Sequence, residues 1–176
     1  MRGLPPDWAT LRADHDAALS QFLEAVRLLR SERWTEPVAS GKWTPAEVTG
    51  HIAEGYRVMN AELAGGPGMR VLVPPVQRWI LRHTLLPRLL SSGRFPARAR
   101  APAETRPTRT EARPEEGIAA LTRLSEQFIA ELTRRASAGP VRLTHAYFGP
   151  LGVRQAVRLC AVHTRHHARQ LEAALG

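Results

Sequence analysis

VRQAVRLCAVHTRHHARQLEAALG, residues 153–176, is the stretch on which the reading of the fold turns. Val153, Ala156, Cys160, His163, His167, Gln170 and Ala174 recur at alternating spacings of three and four, the period of one helix face. A seam of that kind is ordinarily a packing element, yet two of its positions are imidazoles. His163 and His167, four residues apart, lie one above the other and can present two ring nitrogens to one divalent ion.

Three earlier segments carry the same periodicity. Trp8, Leu11, His15, Ala18, Phe22, Val26 and Leu29 form a stripe on a helix that ends before Trp34. The second begins at KWTPAEV, with Thr44 as N-cap, Pro45 at the first helical position, Glu47 closing a capping box and Trp43 stapled on Val48. Its stripe runs through Val48, Ile52, Gly55, Met59 and Glu62 until Gly65–Gly68 stops it. The third starts near Glu115 and continues through Ile118, Leu121, Ser125, Phe128 and Leu132 to Ala138, Gly139 and Pro140. Four amphipathic helices without alternating strand patterns predict an all-α four-helix bundle, as a single domain over residues 1–176.

Roughly fifty residues separate the second and third of these helices, where bundle connections usually take about 2 to 8. A crossover of that length can span the bundle. Within it, VQRWILRHTLLPRLL predicts short helical turns broken at Pro87, followed by an arginine-rich coil from Arg94 to Pro114. Trp79, Ile80, Leu85 and Leu86 allow contact with a membrane surface, but packing over one end of the bundle or on a second subunit is the expectation.

Composition narrows the chemistry. Cys160 is the one cysteine, so internal disulfides and cysteine-based zinc fingers are excluded, and a metal site must use histidine and carboxylate. The absence of a long apolar run or a signal-like N-terminus predicts a soluble cytoplasmic protein with no membrane partner. The net charge of +9 raises nucleic acid, but the arginines are scattered and prolines interrupt the densest basic stretch, so no specific nucleic-acid partner is expected.

A third imidazole completes the pattern. His51, beside Ile52 and Val48, sits at the edge of the second helix's buried stripe, where an unpartnered ring costs desolvation free energy. A shared ion would give all three rings a partner and leave open positions, a catalytic rather than a closed structural arrangement. Taken in order, KWTPAEVTGHI, HAYFGPLG and HTRHHARQ resemble the DinB/YfiT-like superfamily over nearly the whole chain. The resemblance implies an up-up-down-down bundle, often a homodimer, with nickel, zinc or a similar divalent ion on His51, His163 and His167. It also implies a metal-dependent enzyme acting on a small-molecule substrate. Members include thiol S-transferases using bacillithiol or mycothiol, a mycothiol-dependent maleylpyruvate isomerase and metal-dependent hydrolases. Thiol S-transfer with a low-molecular-weight thiol is the expectation for this chain, with a hydrolase or a non-catalytic metal-binding, ligand-sensing module as alternatives. Gly152 departs from the family's usual serine or threonine cap.

Other residues keep two readings each. His166 can compete as an i, i+3 ligand, although His167 keeps the seam register. His145 reads as a loop histidine or a contact to ligand or substrate, and Cys160 as a packing residue, a nucleophile or a soft ligand. His15 is a satisfied core histidine or, with Asp14 or Asp16, an orienting pair. Glu54 and Glu62 are candidate bases or further ligands, Glu54 the better placed to support His51. Arg165 and Arg169 are surface residues or a clamp for an acidic cosubstrate.

Overall fold

The capping box at Thr44 forms as predicted. Thr44 Oγ1 accepts from the Glu47 N–H at 3.1 Å, and the Glu47 carboxylate accepts from the Thr44 N–H at 2.7 Å, starting α2 (Pro45–Leu63). The computed structural model describes residues 4–96 and 100–175. Residues 1–3 and 176, at the ends of the expected domain, and 97–99, in the expected coil, lie outside the described residues.

Around α2 stand α1 (Trp8–Arg27), α3 (Pro75–Ser92), α4 (Pro114–Ala138) and α5 (Val153–Glu172). Among the described residues the fold is all-α apart from one small antiparallel pair, β1 (Arg142–His145) and β2 (Gly149–Gly152). This hairpin occupies the expected turn before α5. Leu143 opposite Leu151 buries its inner face, which is why so short a pair is held.

Helices α1, α2, α4 and α5 make the bundle, with α1 along α5 and α2 along α4. Their directions follow from residue pairs. Asp7 meets Arg154, Asp14 meets Arg165 and Gln21 meets Glu172, so α1 and α5 are parallel. His51 meets His163 while Met59 meets Cys160, so α2 runs against α5. His15 meets Phe128 and Val26 lies near Ile118, so α4 runs against α1. The order is therefore up-down-down-up, which corrects the up-up-down-down order implied by the resemblance. Two consecutive parallel helices require the long crossover between α2 and α4 to retrace the bundle's length.

The crossover is more regular than expected. Pro87 does not break it: α3 is one helix through residue 92, with Pro87 exposed. An interior proline costs roughly 3 kcal/mol through a lost hydrogen bond and a clash. Leu86 and Leu89, fully or almost fully buried on either side, contribute about 1.5–3 kcal/mol each, enough to offset it. Gly93, at φ 65°, ends the helix in the left-handed conformation that glycine adopts most easily. The following coil then passes so close to α2 that a Cβ on Gly50 would lie 2.7 Å from the Arg109 carbonyl oxygen.

Two predicted stripes mark edges rather than centres of buried faces. In α5 the buried line includes Val157, Ala161, Thr164, Ala168 and Leu171, whereas Cys160 and His163 are half-buried and Gln170 is exposed. In α2, Tyr56, Asn60 and Leu63 are buried and Gly55, Met59 and Glu62 only partly. Each helix contacts more than one neighbour, so its buried arc is wider than a single stripe.

Candidate metal centre

His51 comes from the second turn of α2, and His163 and His167 from the C-terminal half of α5. Because α2 and α5 run in opposite directions side by side, the i, i+4 pair on one faces the single histidine on the other. His163 Nε2 lies 3.1 Å from His51 Nε2 and 3.0 Å from His167 Nε2. The rings stand edge to face, with centroids 4.6–5.1 Å apart. The i, i+4 geometry written in the sequence and the third ring are thus brought to one point, and one nitrogen from each residue lies within 4.8 Å of the others.

The outward nitrogens decide what the inward ones carry. His51 Nδ1 is 2.5 Å from the Thr105 carbonyl oxygen, which can only accept, so Nδ1 bears the proton and Nε2 a lone pair. His167 Nδ1 donates likewise to Gln170 Oε1 at 2.7 Å. Burial lowers the pKa of all three rings, His167 to about 3 and His163 well below the ordinary histidine range, with mutual repulsion adding to the effect at His163. All three are neutral near pH 7. His163 Nε2 can then offer at most one N–H to two facing lone pairs, which leaves at least one pair of acceptors opposed. A divalent ion removes that conflict. Nitrogens bound at about 2.05 Å on a tetrahedral ion stand about 3.3 Å apart, so the observed spacings need open by only a few tenths of an ångström.

Aromatic side chains line the cluster. Trp43 lies 5.0 Å from His51 between ring centroids, so it borders the centre itself in addition to its predicted place beside the helix start. Phe95, from the crossover, lies 5.4 Å from His163 and 5.3 Å from His166. Sequence reasoning missed Phe95 and Thr105. Neither stands at a helical spacing from a histidine, and Thr105 acts through a backbone carbonyl that every residue possesses.

A model of the DinB superfamily matches residues 14–171, which takes in α2, the crossover and α5. The chain belongs to the DinB superfamily. No match was found among curated proteins or among solved structures.

Within this member of the superfamily, the remaining candidates fall into definite places. His166 is half-buried, with its Nε2 3.1 Å from Gln170 Nε2, and does not join the three-nitrogen cluster. His145 stacks on Phe148 at 4.7 Å, accepts the Tyr147 N–H at 3.2 Å and is lowered to about 4 by burial. Cys160 packs 3.7 Å from Met59 Sδ, and burial pushes its thiol up to about 12, so it is no thiolate nucleophile. His15 is a satisfied core histidine: Asp16 accepts from Nδ1 at 3.1 Å and Nε2 accepts from the Tyr56 hydroxyl at 2.8 Å.

Both glutamates correct the expectation. Glu54 pairs with Arg57 at 2.8 Å and accepts from Thr108 at 3.2 Å. Glu62 accepts from the Thr144 N–H and hydroxyl, fastening β1 to the end of α2. Glu54 follows His51 by three residues, but its carboxylate is drawn to the coil after the 3-10 turn Ala103–Thr105 rather than to the rings. The flanking arginines are also engaged: Arg165 with Asp14 at 2.7 Å and Arg169 with the Gly93 carbonyl at 2.5 Å. They hold α5 to α1 and to the end of α3.

Proposed function

We propose that His51, His163 and His167 hold one divalent ion through Nε2, and that the chain is a metal-dependent enzyme transferring a low-molecular-weight thiol to a small electrophile. The observation that carries this reading is the convergence of three neutral Nε2 atoms at 3.0 and 3.1 Å while two of the outer nitrogens are spent as donors. Such a nitrogen set suits zinc or nickel and leaves coordination positions for an exogenous ligand. The ion supplies Lewis-acid activation that lets a bound thiol or water ionise near neutral pH.

Engagement of Glu54 and Glu62 away from the rings favours thiol transfer over hydrolysis. Hydrolysis is left without a carboxylate to take up the water proton or to pass one to the leaving group, whereas a thiol, which ionises near about 8.5 even when free, needs less help. The thiol releases its proton to solvent, its sulfur forms a carbon–sulfur bond with the electrophile, and the leaving group departs with the bonding pair. Thr105 and Gln170 fix the orientation of His51 and His167, and Phe95 and Trp43 give the site apolar borders. The reading takes a cytoplasmic homodimer, in a compartment where small thiols stay reduced; sedimentation velocity of the purified chain tests the dimer.

A screen of zinc- and nickel-loaded protein against several biological thiols and electrophiles tests the activity. Thiol-dependent turnover in the wild type, lost in His51→Ala, is the expected result. Turnover that proceeds without thiol would assign a hydrolase. Metal binding without turnover on any pair would assign a ligand-sensing module.

A further inference from the structure

Helix α3 carries more large apolar side chains than it buries. Its inner face buries Leu86 and Leu89, and Arg82 donates to the carbonyls of Phe148 and Pro150, fixing the helix on α5 and the β1–β2 hairpin. On the outer face Val76, Trp79 and Ile80 are 72%, 63% and 47% exposed. These positions share one helical stripe, which exposed His83 and Pro87 continue. Three adjoining large apolar side chains in water, one of them tryptophan, mark a surface that meets something.

Charge identifies what it meets. Arginine is spread along the chain, but acid is not: Leu63 to Ala103 contains seven arginines and no aspartate or glutamate, so it carries +7 of the net +9. Elsewhere arginines find carboxylates, as in Arg12–Asp16, Arg57–Glu54, Arg134–Glu131 and Arg165–Asp14. Among the described residues, no ion pair involves an arginine of that acid-free stretch. Exposed Arg88 flanks the outer stripe, and exposed Arg70 and Arg94 lie beyond the two ends of α3.

We propose that the outer face of α3 docks the protein on an anionic lipid surface, with Val76, Trp79 and Ile80 at the headgroup boundary and Arg70, Arg88 and Arg94 among lipid phosphates. An 18-residue helix is about 27 Å long and lies in the plane of such a surface. Tryptophan favours that boundary because its ring is apolar and its N–H polar. Crossing the bilayer is a separate matter: among the described residues, no helix is long and apolar enough to do so.

Two other occupants fit less well. Two-fold pairing of α3 with a second copy would oppose two acid-free, arginine-bearing surfaces, and three apolar side chains fall short of the roughly 800 Å² per partner of a standard interface. A nucleic-acid groove calls for arginines along the presented face, whereas Arg82 turns inward to the hairpin and the presented centre is apolar. The proposal is independent of the metal reading and stands or falls without it.

The test is co-sedimentation of the full 176-residue chain with phosphatidylcholine vesicles, with and without phosphatidylglycerol at about one lipid in three. Binding is expected only to the anionic vesicles, weakening as salt rises. The triple variant Val76→Ser, Trp79→Ser, Ile80→Ser should bind at least about tenfold less, as should Arg88→Glu with Arg94→Glu. All five side chains are exposed or at a helix end, and circular dichroism checks that the variants keep the fold. Equal binding by wild type and triple variant overturns the proposal, as does failure to bind anionic vesicles at low salt. Without vesicle binding, self-association lost in the triple variant would assign the face to a second copy, and retention of duplex DNA would assign it to nucleic acid.

Discussion

His15 on α1 and His163 on α5 both turn toward the bundle interior, and burial lowers the pKa of both. Their surroundings differ in kind. His15 has a carboxylate on one nitrogen and a hydroxyl on the other, so the protein alone satisfies it. Tyr56 supplies that hydroxyl reliably, because burial raises its pKa and keeps its proton in place. At His163 the neighbours are two more imidazoles whose outer nitrogens are already committed. Buried histidine is therefore uninformative by itself; whether its nitrogens face complementary partners or one another separates a packing residue from a ligand.

The sharpest way to break this contrast is to remove one ring from each side. Wild-type protein should carry close to one divalent ion per chain, and His163→Ala or His167→Ala should lose most of it by elemental analysis. His15→Ala and His166→Ala should keep it in whatever fraction remains folded. Metal content unchanged in His167→Ala would end the distinction.

A smaller effect is expected one layer out. Gln170→Leu removes the acceptor that fixes His167 and should weaken metal affinity by about 10- to 100-fold without abolishing it, measured by competition with a chelating dye. An affinity equal to wild type would mean that Gln170 does no more than border the site.

On the other side, Tyr56→Phe leaves a buried His15 nitrogen without its donor. Denaturant unfolding should report a loss of about 1–3 kcal/mol, equal in metal-loaded and metal-free protein. A loss seen only in the loaded form would show that the two histidine settings are coupled.

The mildest probe is pH. In metal-free protein the folded pKa values of His15, His51, His163 and His167 all lie below the unfolded value near about 6.5. Between folded and unfolded values the unfolded chain binds more protons, so stability rises with pH and is lost as pH falls from about 7 through 6.5 and below. The melting temperature should fall accordingly. Its chelator-sensitive part should fade over the same range, because protons and metal compete for Nε2. A chelator effect that grows on acidification would contradict ligation by neutral imidazole.

Helix starts, helix count in the bundle and the i, i+4 pair were legible in the residues because each rests on contacts within a turn or two: the Thr44–Glu47 box, the three-and-four spacing, the vertical stacking of His163 over His167. Membership of His51 was legible from the cost of an unpartnered ring on a buried stripe. Pro87 was misread because the local penalty is real and only the burial of Leu86 and Leu89 against the bundle outweighs it. Glu54 was misread because spacing gives its turn of the helix but not the partners Arg57 and Thr108 that claim its carboxylate. Thr105, 54 residues from His51 in sequence, fixes that ring's proton through a carbonyl with no residue-specific signature. The sequence by itself thus determined the helices and the ring pair, since these follow from local periodicity. Only the tertiary structure decided which nitrogen of each ring faces inward and what lies opposite it, since those depend on antiparallel α2 and α5 and on a crossover strand of backbone brought back from far along the chain.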